Sequence, residues 1–321
     1  MMFQKNDNYS LEGSCSALSN NLCVYKENEK VYLSCVHKSS VNLMIINSDG
    51  SSLCHLISLK KSSFNLPFIL QTKWIKIKEV TILVIASERG IQVFDQTGKI
   101  LIYSYALPVD VDETTEAVFT RGIASCCDTF FCVGTSKGEI LIFQSADEGN
   151  SIDLVETIQG HNTPISDLCG RGNKLVSADD EGNLYLWEYN NSLKKLKTFE
   201  KFNCPCTSLA LWKDLIYASY ASGQLRIFSQ STGSLLAEVA AHARWITAVD
   251  IAEDSGLALS VSEDSFVRIW QLQNDQNPII SHRFSCRITD TQLCGGCFAD
   301  GSGKEFYTTG YELNEVIKFS M

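Results

Sequence analysis

Short apolar runs that close on an aromatic residue recur along the chain. They end at Phe94, Phe143, Trp187, Phe228, Trp270 and Phe319, spaced 49, 44, 41, 42 and 49 residues apart, and an earlier copy ends at Ile46, 48 residues before Phe94. A period of 40–50 residues marks stacked or radially arranged units. Each aromatic run follows a β-rich segment, such as residues 80–87 or 129–135. A tight turn joins the two: Glu88-Arg89-Gly90, Ser136-Lys137-Gly138, Glu181-Gly182-Asn183, Ala221-Ser222-Gly223 or Glu263-Asp264-Ser265. Glycine supplies the positive φ that such hairpins need. A second turn (Gln96-Thr97-Gly98, Ser231-Thr232-Gly233) often leads to another strand-like run, and a further apolar stretch (207–212, 246–251) opens each unit. No helical period of useful length appears. The pattern predicts an all-β chain of seven four-stranded antiparallel meanders, the form of β-propeller blades.

The ends of the chain complete this picture. The seventh unit offers three strand candidates, at about 291–298, 305–309 and 315–320, and is one strand short. Residues 3–11 belong to no unit and can supply the fourth. The expectation is one seven-bladed domain over residues 1–321, with residues 1–12 closing the last blade and removing open sheet edges.

Two units carry more than periodicity. Gly160-His161 and Ala241-His242 open the fourth and sixth units, and both units end on tryptophan. These features resemble the WD-repeat family, although its Trp-Asp pair is replaced here by Trp187-Glu188 and Trp270-Gln271. In that family a histidine, a turn aspartate, a second-strand serine or threonine and the tryptophan form a buried hydrogen-bonded tetrad. The resemblance implies such a tetrad at His242, Ser260, Asp264 and Trp270. It implies only a partial one at His161, Ser177 and Trp187, because Glu181 holds the turn position. Segments 88–92, 120–124, 241–244, 290–295 and 309–311 extend the resemblance along the whole chain to one member of the family. What it implies is a WD40-type scaffold that binds proteins and does no catalysis.

Composition narrows the function classes. The 321 residues are 45% hydrophobic and 20% charged, which supplies a large core and excludes wholesale disorder. The net charge of −10 argues against nucleic acid as a partner, since a phosphate-backbone binder needs a concentrated basic face. The longest apolar run, about 80–86, falls short of the ~18 residues a membrane-spanning helix needs. The first residues show no apolar core of a secretory signal. Thirteen scattered cysteines, an odd number in mostly apolar segments, read as reduced core thiols. Cys294-x-x-Cys297 and Cys204-x-Cys206 lack a second ligand pair, so neither metal nor other cofactor is expected. These features together predict a cytoplasmic, monomeric propeller.

A search for chemistry finds little. The histidines are His37, His55, His161, His242 and His282, and no nucleophile elbow, zinc-protease motif or phosphate loop accompanies them. Gly301-Ser302-Gly303-Lys304 is followed by Glu305 and reads as a hairpin turn. The carboxylates at Asp179-Asp180, 110–116 and 147–148 read as solvated loops, with 110–116 an acidic connector. Lys194, Lys195 and Lys197 read as a solvated outer edge. Phosphoinositide-binding propellers carry Phe-Arg-Arg-Gly, whereas Phe119-Thr120-Arg121-Gly122 has one arginine, which weakens a lipid reading. An enzyme is not expected. A protein-interaction scaffold is, with a peptide- or modification-reading module at the channel rim as the alternative. Arg244 and Trp245 fall in a loop between units, and arginine and tryptophan are enriched among binding hot spots. With Arg121 they form the candidate partner-binding set. The competing reading has Arg244 paired with Glu263 and Trp245 capping the sixth blade.

Overall fold

The computed structural model describes residues 2–59, 66–108, 118–146, 151–274, 277 and 279–321. The 110–116 connector and the carboxylates at 147–148 lie outside the described residues.

Among the described residues, twenty-eight strands form seven four-stranded antiparallel sheets, each a blade. Blades one to six take their strands in chain order from residues 23–58, 69–106, 120–159, 165–198, 206–240 and 246–287. Blade seven combines Leu293–Phe298, Glu305–Gly310 and Glu315–Ser320 with the N-terminal strand Gln4–Ser10 on its outer edge. That strand pairs from Gln4 opposite Ser320 to Ser10 opposite Glu315, with an irregularity between Lys5 and Asn8. The ring is therefore closed by the N-terminal strand. Phe3 fastens it, packing against Phe306 of blade seven (centroids 5.0 Å apart) and Phe284 of blade six (5.5 Å).

Position in a blade sets the burial pattern. Middle strands are covered on both faces, so Phe130–Thr135, Leu215–Tyr220 and Leu257–Ser262 are buried at every residue. Outer strands face solvent on one side, and Leu235–Ala240 alternates half-buried with exposed. The core is seven apolar clusters, one at each seam between neighbouring blades. Each buried Phe, Leu or Ile there contributes about 1.5–3 kcal/mol of transfer free energy. First strands pack side by side around the axis. A meander alternates strand direction, so the loops between blades and the loops joining second to third strands open on one common face.

Candidate functional site

Blades four and six are pinned internally. In blade six the Trp270 indole N–H donates to Ser260 Oγ (2.9 Å), Ser260 Oγ meets His242 Nε2 (2.8 Å), and His242 Nδ1 meets both Asp264 carboxylate oxygens (3.0 Å). Burial pushes the His242 pKa down, so its Nδ1–H donates to Asp264 and its bare Nε2 accepts from the serine hydroxyl. Asp264 is held down at about 2; burial opposes this, and the hydrogen bond from His242 leads the groups that outweigh it.

Blade four holds a complete tetrad where the turn rule allowed only a partial one. Trp187 Nε1 donates to Ser177 Oγ (2.8 Å), Ser177 Oγ meets His161 Nε2 (2.6 Å), and His161 Nδ1 meets Asp179 Oδ2 (2.9 Å). The carboxylate comes from the end of strand Lys174–Asp179, two residues before the expected turn position. Glu181 instead pairs on the surface with Lys201 (2.8 Å). In both blades the histidine backbone N–H donates to the carbonyl of a turn glycine one blade back, Gly138 or Gly223. A Cβ on either glycine would sit 2.1 Å from the histidine carbonyl, so the close approach requires glycine.

The channel opens on the loop face as a cavity of about 320 Å3 whose lining includes Leu18, Arg121, Asp180, Trp245, Glu263 and Tyr311. Arg121 is used structurally: its Nη2 donates to Asp180 Oδ1 (2.7 Å) and its Nε to the Ile165 carbonyl (3.0 Å), tying blade three to blade four. Arg244 is exposed and, among the described residues, makes no ion pair with Glu263. Trp245 is 40% exposed at the mouth, and its carbonyl accepts from the Glu263 N–H of blade six (3.1 Å). Sequence reasoning missed Phe68 and Tyr311, which are 54% and 44% exposed. Among the described residues the exposed aromatics are Phe68, Trp245 and Tyr311. All three lie in loops of this one face.

The profile of the WDR54 family matches residues 2–321. The chain belongs to that family. It is 36% identical to WD repeat domain 54 of Rattus norvegicus and to WD repeat-containing protein 54 of Homo sapiens, in each case over 99% of both chains. Among solved structures it resembles a chain of the mitotic checkpoint complex (TM-score 0.76, 15% identity, covering 99% of this chain and 92% of that one). It also resembles the RRP9 WD40 repeats (TM-score 0.76, 17% identity, 99% of each chain). At those identities the likeness is one of fold.

Inside this WDR54-family channel, polar side chains stitch one blade to the next. Gln71 Oε1 accepts from the Gly122 N–H (2.7 Å), Asp167 Oδ2 from Leu209 N–H (2.8 Å), Ser208 Oγ from Val249 N–H (3.1 Å) and Asp250 Oδ2 from Phe298 N–H (2.7 Å). Burial raises the Asp167 carboxyl and pushes Asp250 up to about 6. Lys73 lines the same stretch and opposes both shifts by its charge. In the first strands Ile165–Arg171 and Ile246–Ala252, one oxygen of each carboxylate holds the backbone of the next blade. Lys195 is likewise engaged, its ammonium lying 3.5 Å from the Tyr185 ring centroid.

Proposed function

We propose that this propeller is a non-catalytic platform that binds a protein partner on its loop face, centred on the channel mouth. One observation carries the reading: the exposed aromatics Phe68, Trp245 and Tyr311 all belong to that face. Exposed aromatic area concentrated on one side is what binding surfaces carry, and buried aromatic anchors supply much of their energy. The rest of the polar constellation supports an architectural role. The histidines of blades four and six are committed to tetrads, and the channel aspartates to stitches between blades. A peptide- or modification-reading role would use the same mouth. We also propose a cytoplasmic, reducing setting, because the thirteen cysteines are free thiols.

Affinity recovery from cell extract with quantitative mass spectrometry tests the reading. Trp245→Ala and Tyr311→Ala should each remove the same partner from the wild-type set, with an unchanged melting temperature. Leu53→Ala, on an outer edge far from the mouth, should retain it. Loss with the edge variant and retention with both mouth variants would overturn the assignment of this face.

A further inference from the structure

The mouth has a charge imbalance that its own residues do not resolve. Of its charged lining residues, Arg121 and Asp180 are paired with each other at 2.7 Å. Glu263 is left over. It is half-buried, its backbone N–H donates to the Trp245 carbonyl (3.1 Å), and among the described residues its carboxylate has no hydrogen-bond or ion-pair partner. A partly desolvated carboxylate without a counter-charge is unfavourable. Trp245 and Tyr311 line the same cavity with exposed ring surface. A second group there is also unanswered: Ser166 is only 6% exposed, and its Oγ is buried without a partner. Arg244, directly before Trp245 in sequence, is exposed and outside the lining.

A free carboxylate, two aromatic faces and an unanswered hydroxyl suit one chemical class. A cation stacks on an aromatic face, donates a charge-assisted hydrogen bond to the carboxylate and has N–H groups to spare for the hydroxyl. We propose that the mouth receives a basic side chain, lysine or arginine, from the partner segment that docks on this face. This inference rests on the docking reading above. The net charge of −10 favours the approach of such a segment at low salt.

The test uses Trp245 as its own reporter, since Trp74, Trp187, Trp212 and Trp270 are 7%, 3%, 5% and 6% exposed. Emission of the full chain is titrated with Gly/Ser/Ala pentapeptides whose central residue is arginine, lysine, citrulline or acetyl-lysine. At least one cationic peptide should bind about tenfold more tightly than its neutral counterpart. Glu263→Gln, which keeps the side chain's shape and removes its charge, should collapse that difference. Equal affinity of charged and neutral peptides would overturn the inference. So would a preference that survives Glu263→Gln, or no emission change at millimolar peptide. If charge preference fails while Trp245→Ala still loses the protein partner, docking stands and the basic side chain falls. If charge preference holds while partner recovery ignores Trp245, the cavity stands and docking falls.

Discussion

Blades four and six build the same lock from different sequence positions. In blade six two residues share the work around the turn: Ser262 Oγ accepts from the Asp264 N–H, while Asp264 accepts from the Phe266 N–H and from His242. In blade four Asp179 sits at the place of Ser262 and does both jobs. Its Oδ1 accepts from the Glu181 and Asn183 N–H groups (3.1 and 2.8 Å), and its Oδ2 from His161 and the Asn183 side chain. A carboxylate two residues nearer the serine reaches the histidine because it ends the strand pointing inward. What is preserved is the hydrogen-bond circuit, and the spacing is free to move. Blades two, three and five have no such circuit: the serine position in the register holds Ile85, Val133 and Ala218, all fully buried, near a phenylalanine with no N–H to satisfy.

The bluntest break spares both locks. Deleting residues 1–12 removes the outer strand of blade seven and Phe3, exposing an unpaired edge. Thermal unfolding followed by circular dichroism should show a larger loss than any single lock substitution. A truncated chain with wild-type melting temperature would mean the locks, not closure, hold the ring. Next come the lock carboxylates. Asp179→Ala leaves several buried donors unanswered and should cost about 3 kcal/mol by urea unfolding, against about 2 kcal/mol for the more exposed Asp264→Ala. The reverse order would show that spacing, not the number of donors, sets the strength of a lock.

Acid should weaken both locks together. Asp179 and Asp264 titrate at about 2 in the folded chain, below the usual carboxylate value. A folded-state pKa that is depressed stabilises fully above the unfolded value near 4, and the gain is lost as pH falls towards 2. Each contributes on the order of 2 kcal/mol over that window. His242 adds in the same sense, since its lowered value means stability is lost as acid charges the ring. The double variant Asp179→Asn with Asp264→Asn should flatten the acid limb of a stability–pH curve between pH 4 and 2.5. An unaltered limb would move acid sensitivity elsewhere, to other carboxyls held low such as Asp95, Asp214 and Asp300.

The spacing of aromatic runs and the turn glycines made the blades, their number and their closure legible, because each is written within one unit or at the chain ends. The blade-six tetrad was legible for the same reason. Asp179 was not, since a spacing rule looks four residues past Ser177 and finds Glu181. Residues that act between units were also hidden. That Arg121 answers Asp180, that Asp167 and Asp250 hold the next blade's backbone, and that Glu263 is left unanswered all depend on how two blades sit together. Local patterning carries no record of that.

The smallest effect separates the two accounts of blade four most cleanly. If the family turn position matters, Glu181→Asp should stabilise the blade by offering His161 the shorter carboxylate. If Asp179 already satisfies the histidine, the change only loosens the exposed contact to Lys201, and the melting temperature should stay within about 1 °C. What little change occurs should vanish in high salt, because both partners are exposed. In an Asp179→Ala background the same substitution should behave differently and recover part of the loss. Blade six shows that an aspartate four residues past the serine can reach the histidine. A clear gain from Glu181→Asp alone, with no recovery in the Asp179→Ala background, would mean that residue 181 acts on the turn itself and not through His161.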